Sequence, residues 1–467
     1  MTSQMRIPAR VLAAAAVGVA LVATQGTAVA RPAAVPSTTA ASTTAVASTT
    51  AASTIAVAST LAAGQCYDRS APITYEESRI ETPALPGGER VPYTLVEVGG
   101  FTPLVQRLTT ELCRARSVAA AQRLLQRRGA LLWRTAVERA QGTRWMGSIE
   151  RYDDRPLYWS RLMGTRDLRQ WQPSFAVSGA ARARLVRTFE YASRGISSTD
   201  FSRRRDVTRV MVSGFDPYQL NNEIRRSNPS GASALQLDGV RYRVGDRTVH
   251  IESVVFPVTW SAFDAGYVED AFGPHLTRRS PQRADLIMTI SQGLRGTMNI
   301  EQWAGAWRGG SPDNNNEGTA ELIPRAPRWP QLEPQPEFIE TTLPYQQMIA
   351  AGTTPWPVRL NPRICEWTGN SRPDPARISC HDNGPSPGSQ AHSGGGGNYL
   401  SNESMYRSNR LRLALGATDV PGGHLHISAL VYPENPLVII DQAFAADRAQ
   451  TIEQTVALVK AAGAAVS

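Results

Sequence analysis

Val210-Met211-Val212-Ser213-Gly214-Phe215-Asp216-Pro217-Tyr218 is the stretch from which the fold is read. Its β-branched run predicts a short strand, and the Gly, Asp and Pro that follow predict an exit from the sheet into a loop. Similar runs recur at Val249 to Val255, Leu286 to Ile290, Leu425 to Leu430 and Leu437 to Ile440, separated by turns and helical segments. That alternation predicts an α/β sheet. Ile452, Val456 and Val459 share one helical face near the end of the chain, which predicts a helix covering the sheet.

Upstream of this region the pattern is different. Residues 65–205 are rich in arginine, and Leu124, Leu131 and Leu132, then Leu185, Val186 and Phe189, recur at helical spacing. A smaller, mainly helical N-terminal region is expected there, ahead of an α/β domain at 206–467. Trp133, Trp145, Trp159 and Trp171 could form a stacking surface, but such residues more often fill a core. Residues 31–64 are Ala/Ser/Thr-rich with almost no charge and no aromatics, a composition that cannot bury enough surface to fold, and are read as a disordered linker. Residues 1–30 have the three parts of a secretory signal: Arg6 and Arg10, an apolar run from Val11 to Ala23, and Ala28-Val29-Ala30. That run is short for a bilayer span, so a secreted chain starting near Arg31 is expected, with an uncleaved anchor as the alternative.

The 467 residues carry a formal charge of +9, but the arginines are interleaved with Asp and Glu, and Lys460 is the sole lysine. No nucleic-acid motif accompanies the charge, so no nucleic-acid partner is expected and the arginines are read as surface solvation. Export would put the four cysteines in an oxidising compartment. Cys66 with Cys113 and Cys365 with Cys380 are the preferred local pairings of the three possible connectivities.

A second informative stretch is Ser393-Gly394-Gly395-Gly396-Gly397-Asn398-Tyr399-Leu400-Ser401, followed by a helix expected from about Asn402. A glycine turn lets the backbone approach a ligand, and a side chain at a helix start lies beside unpaired N–H groups suited to an oxyanion. Ser401 is the candidate nucleophile, and a flexible glycine linker is the competing reading.

Several segments, in order, resemble the pyroglutamyl peptidase I family of cysteine peptidases, which remove an N-terminal pyroglutamate from peptides. They are Gly214 to Tyr218 with Asn228-Pro229-Ser230, Ser291-Gln292-Gly293 with Glu301, Pro312-Asp313-Asn314 with Asn316-Glu317-Gly318, Thr342-Leu343-Pro344, and Gly423 to Ile427. The resemblance runs from about Arg209 to the C-terminus and implies an α/β/α sandwich of that family's type. It implies a triad of Glu301 as orienting acid, Ser401 as nucleophile and His426 as base, with Ser401 standing where the family has Cys. It further implies that Phe215, Tyr218 and Tyr399 pack on the lactam ring and that Gln292 hydrogen-bonds it. Backbone N–H groups near Ser401, aided by Arg308, would hold the oxyanion. The implied activity is that of an omega-peptidase acting on peptides with an N-terminal pyroglutamate, without cofactor. The alternative is a catalytically silent protein that binds such termini.

Other chemistries fit less well. His424 and His426 would share a strand face, as a metal site needs, but no Glu or Asp motif completes one. No Gly-x-Ser-x-Gly elbow surrounds Ser401, which argues against a lipase or esterase. The Pro-rich excursion from Arg325 to Gln390 is expected to be a surface loop beside the site, stapled by Cys365 and Cys380.

Overall fold

The computed structural model describes residues 66–83 and 87–467, so the expected signal (1–30) and linker (31–64) lie outside the described residues. Seven strands form the central sheet, in the order Val358–Asn361, Met298–Glu301, Gly422–Ile427, Leu286–Gln292, Val207–Phe215, Arg247–Phe256, Arg241–Val244. Val207–Phe215 runs parallel to both of its neighbours, and Gly422–Ile427 runs parallel to Leu286–Gln292. Met298–Glu301 is antiparallel to Gly422–Ile427, and Arg241–Val244 is antiparallel to Arg247–Phe256.

The inner strands read as nearly continuous apolar runs because both of their faces are covered. Met211, Val254 and Ile287 join one core with Trp260, Phe272 and Leu411, while Val210, Val212, Val249 and Met288 join another with Leu458 and Val459. Successive residues of a strand thus feed opposite cores, as its period of two requires. The last helix, Gln442–Ala465, covers the second core, with Ile452 and Val459 fully buried and Val456 packed at its margin.

One expected strand does not form. Leu437 to Ile440 belongs to an irregular segment in which Leu437 and Ile440 are exposed. The reason lies in Arg225, whose guanidinium donates to the carbonyls of Pro433, Asn435 and Val438 at 2.9, 2.7 and 2.8 Å. A backbone whose carbonyls converge on one cation cannot lie flat in a sheet ladder.

Four helices, Thr102–Cys113, Val118–Ala140, Arg155–Gln170 and Gly179–Ser193, are the longest elements of the N-terminal region. Trp133, Trp159 and Trp171 are buried in their core, whereas Trp145 is 97% exposed. Close helix contact depends on Gly129, where a Cβ would come within 2.7 Å of the Ala192 methyl. This core continues into Leu220, Ala234, Leu235 and Val255 of the sheet region. Cys66 is paired with Cys113, and Cys365 with Cys380.

The structure corrects the reading of the arginines as surface solvation for a buried subset of them. Arg155, Arg161, Arg194, Arg407, Arg410 and Arg448 are among the largest fully buried side chains. Each of these six has a carboxylate within ion-pair distance, the condition under which a buried charge is tolerated. The excursion also differs from a plain loop. Ile364–Trp367 pairs with Ile378–His381 and with Gln390–Ser393 in a small antiparallel sheet, with Cys365 directly opposite Cys380. Among the described residues, no helix is long and apolar enough to cross a membrane.

Candidate active site

The parallel strands Val207–Phe215, Leu286–Gln292 and Gly422–Ile427 end at one edge of the sheet, where open α/β sheets place their ligands. Phe215, Gln292 and His426 therefore arrive together from three chain-distant segments. A cavity of about 320 Å³ opens there, and Glu301, Ser401, Tyr218 and Tyr399 line it as well. All seven side chains singled out as triad or ring-binding residues thus face one cavity.

Strand register brings the acid to the base. Glu301 is the register partner of His424, two residues from His426, so Glu301 and His426 are diagonal neighbours on one face. Glu301 Oε1 lies 2.7 Å from His426 Nδ1. The other carboxylate oxygen accepts from Asn361 Nδ2 at 2.7 Å, and the same amide donates to the Gly395 carbonyl at 3.1 Å. Asn361 therefore ties the acid to the glycine turn. Gly395 has to be glycine, since a Cβ there would collide with Glu301 Oε2.

The turn leads into the helix Leu400–Ala414, which has no side-chain cap, so the N–H groups of its first turn have no intrahelical acceptor. Asn402 fixes this helix start by accepting from Gly305 N at 2.8 Å and donating to Gly305 O at 2.9 Å. Ser401 Oγ donates to the Gly396 carbonyl at 3.1 Å. No hydrogen bond joins it to His426 among the described residues, although both face the cavity.

The walls follow from local sequence. Asn228 caps the helix Pro229–Leu237 and donates to the Asp216 carbonyl at 2.8 Å, while Phe215 N donates to Ser230 Oγ at 3.0 Å. A Cβ at Gly214 would collide with the Ser230 carbonyl, so this helix rests directly on the strand. Tyr399 donates to the Pro312 carbonyl at 3.1 Å and meets Trp260 edge-on at 5.2 Å. Gln292 Nε2 donates to Tyr218 Oη at 3.1 Å, while the buried Gln292 Oε1 has no partner among the described residues. An orphaned buried acceptor beside aromatic rings suits a small ligand carrying an N–H.

The helical region holds these walls through three buried carboxyl contacts. Asp216, between Phe215 and Tyr218, pairs with Arg161 at 2.7 Å and Arg194 at 2.5 Å. Asp154 accepts from Ser227 Oγ and, at 2.9 Å, from Asn228 N. Glu76 accepts from Tyr158 Oη at 2.9 Å and from Asn314 Nδ2 at 2.7 Å. Neither these contacts nor Asn361 had a signal in the sequence, because each joins segments that approach only in the folded chain.

Burial, reinforced by Asp216, pushes the Glu76 carboxyl from 4.5 up to about 7. The folded state then holds a proton that the unfolded chain has lost, so this group's effect on stability worsens as pH rises from about 4.5 to about 7. Above that window the penalty is about 3 kcal/mol. Glu76→Gln keeps an acceptor for Tyr158 and Asn314 and removes the charge. It is expected to unfold at higher urea than the natural protein at pH 8, with the gain vanishing near pH 4. A gain that is the same at both pH values would contradict this account.

Asn361→Ala should leave Glu301 Oε2 and the Gly395 carbonyl without their donor. For any substrate the site turns over, kcat is expected to fall by up to about 100-fold through misplacement of the acid–base pair. Peptide affinity, measured by calorimetry in a Ser401→Ala background, should stay unchanged. A loss carried wholly by affinity would assign Asn361 to ligand binding instead.

One sequence expectation changes here. Arg308 does not line the cavity; its guanidinium is engaged by Asp264 at 2.6 Å, Glu321 at 2.7 Å and Glu403 at 3.3 Å. Three carboxylates hold it away from any oxyanion. His424 is fully buried, with Nδ1 2.7 Å from Thr289 Oγ1 and Nε2 2.7 Å from Ser291 Oγ. Burial, together with neighbouring His426, holds its imidazole well below the ordinary range, so it is a neutral strut whose two nitrogens are both occupied.

The chain matches the family described as PA0049 N-terminal domain over residues 56–190, and the one described as PA0049, C-terminal domain over residues 209–334 and 361–431. Uncharacterized protein PA0049 of Pseudomonas aeruginosa is 32% identical, over 86% of this chain and 91% of that protein. Among solved structures, pyroglutamyl peptidase I of Bacillus amyloliquefaciens aligns at 16% identity and a TM-score of 0.35, covering 55% of this chain and 97% of that one. The pyrrolidone carboxyl peptidase of Fervidobacterium islandicum AW-1 aligns at 13% identity and a TM-score of 0.35, covering 54% and 95%. With about a third of its residues identical along nearly the whole of the Pseudomonas protein, and both domain families matched in order, this chain belongs to the PA0049 family.

Proposed function

We propose that this protein is a secreted hydrolase that removes an N-terminal pyroglutamyl residue from peptides by acyl transfer. The observation that carries the reading is the 2.7 Å contact of Glu301 with His426 Nδ1, at a cavity that also presents Ser401. In this mechanism Ser401 Oγ turns from the Gly396 carbonyl to His426 Nε2 and attacks the pyroglutamyl carbonyl as the imidazole takes its proton. Glu301 holds the Nδ1–H tautomer and stabilises the imidazolium. The N–H groups at the start of the Leu400–Ala414 helix receive the oxyanion. His426 returns the proton to the leaving amine, and water then releases the acyl group with the same base. Gln292 Oε1 accepts the lactam N–H, and Phe215, Tyr218 and Tyr399 enclose the ring.

A second reading, a silent binding protein, is favoured by one specific observation. Ser401 donates to Gly396 and not to His426, and an alkoxide is not available near neutral pH without a base in contact. Release of a reporter amine from a pyroglutamyl substrate by the natural protein selects the enzyme. Calorimetric binding of a pyroglutamyl peptide without turnover selects the binder, and absence of both removes the pyroglutamyl reading. The two disulfides fit an oxidising compartment. Secretion is checked by recovering the protein from the medium with an N-terminus near Arg31.

A further inference from the structure

The turn after Gln292 presents an apolar side chain to solvent at the cavity mouth. Leu294 lines the cavity and is 76% exposed. Its backbone is held on both sides. Gly293 N donates to the Ile427 carbonyl at 2.8 Å, and Gly296 N donates to Ser428 Oγ at 2.9 Å. Arg295 donates to the Ala429 carbonyl at 2.8 Å, pairs with Asp447 at 2.7 Å and lies 4.4 Å over the Trp356 ring. Asp447 also accepts from Val431 N at 3.1 Å, and Val431 is itself 57% exposed. Leu294 is thus carried at the cavity mouth with its side chain in water, where a ligand occupying the cavity can cover it.

Its position relative to the base says what it would contact. A Cβ at Gly293 would lie 2.9 Å from His426 Cβ and 3.2 Å from Cδ2, so this turn lies directly against the imidazole. The leaving amine has to pass His426 to receive its proton, and the residue bearing that amine then lies beside Leu294. We infer that Leu294 forms the subsite for the residue following the pyroglutamyl group, and that the ligands of this site are peptides with an apolar side chain at that second position. This inference rests on the pyroglutamyl reading of the cavity.

Binding is the measurement that serves whether or not Ser401 is competent. In Ser401→Ala protein, pyroglutamyl-Leu-Gly is expected to bind about 10-fold tighter than pyroglutamyl-Asn-Gly, the discrimination an apolar contact of this size supplies. Asn is close to Leu in shape and uncharged, so net charge does not enter. Adding Leu294→Gln should reduce the preference to less than about twofold, and the exposed position leaves the fold untouched. Equal binding of the two peptides, or a preference that survives Leu294→Gln, overturns the inference while leaving the pyroglutamyl reading standing. If neither peptide binds, the pyroglutamyl reading fails and the subsite falls with it.

Discussion

Ser401→Ala and His426→Ala are each expected to abolish release of an amine from a pyroglutamyl substrate, by on the order of 10⁴-fold or more. Nucleophile and base act as one unit, so the double variant should lose little beyond either single one. Ser401→Cys is the more informative change. A thiol titrates near 8.5 and becomes a thiolate readily beside an imidazole, whereas a hydroxyl depends on concerted proton removal. Sulfur is also larger than oxygen and would reach further from the helix start into the cavity. The Cys variant is therefore expected to turn over the substrate and to be inactivated by a thiol alkylating agent, to which the natural protein, with no free cysteine, should be indifferent. Turnover by the Cys variant alone would identify the natural protein as the binder. A Cys variant that binds substrate without cleaving it would show that His426 and Glu301 do not serve position 401.

Asp216→Ala carries the largest expected effect on stability. Asp216 is 3% exposed and its two oxygens face Arg161 and Arg194, which are themselves buried. Without it, two guanidinium groups remain in a low-dielectric setting, and of the two only Arg194 keeps an ion-pair contact among the described residues, with Glu190 at 2.6 Å. Removing one partner of a buried ion pair costs about 3–5 kcal/mol, a large share of the stability of most domains. A urea unfolding midpoint shifted accordingly, together with weaker pyroglutamyl-peptide binding, is expected because Phe215 and Tyr218 flank the lost anchor. A loss below about 1 kcal/mol would mean that water reaches the site and solvates the arginines.

The same contacts explain the relation between the helical region and the cavity. Asp216, Asn228 and Asn314 each belong to a segment quoted from the sequence for its motif, and each is held from the helical side, by Arg161 and Arg194, by Asp154, and by Glu76 respectively. The helices thus form part of the frame that keeps the cavity walls in place.

The α/β layering and most of its strands could be read from the sequence because a strand covered on both faces is written as a local apolar run. The end of the strand at Gly-Phe-Asp-Pro-Tyr was legible for a similar reason, since it is set by neighbouring residues, whereas Asn-Pro-Ser stood out only through the family resemblance. Leu437 to Ile440 misled because its apolar run is local while the cation that curls it, Arg225, is far away in the chain. Arg308 and the buried arginines were misread in the same way, because a polar side chain's role depends on which charges the fold brings to it. Asn361 had no signal, because its partner Glu301 becomes adjacent only through strand register. By itself the sequence determined the order in which the strand-forming and motif segments follow one another along the chain and which side chains were candidates for the site. Tertiary structure alone decided that Glu301 reaches His426, that Ser401 rests on Gly396 and that the helical arginines grip Asp216, because hydrogen bonds and ion pairs act over about 3 Å in space and take no account of separation along the chain.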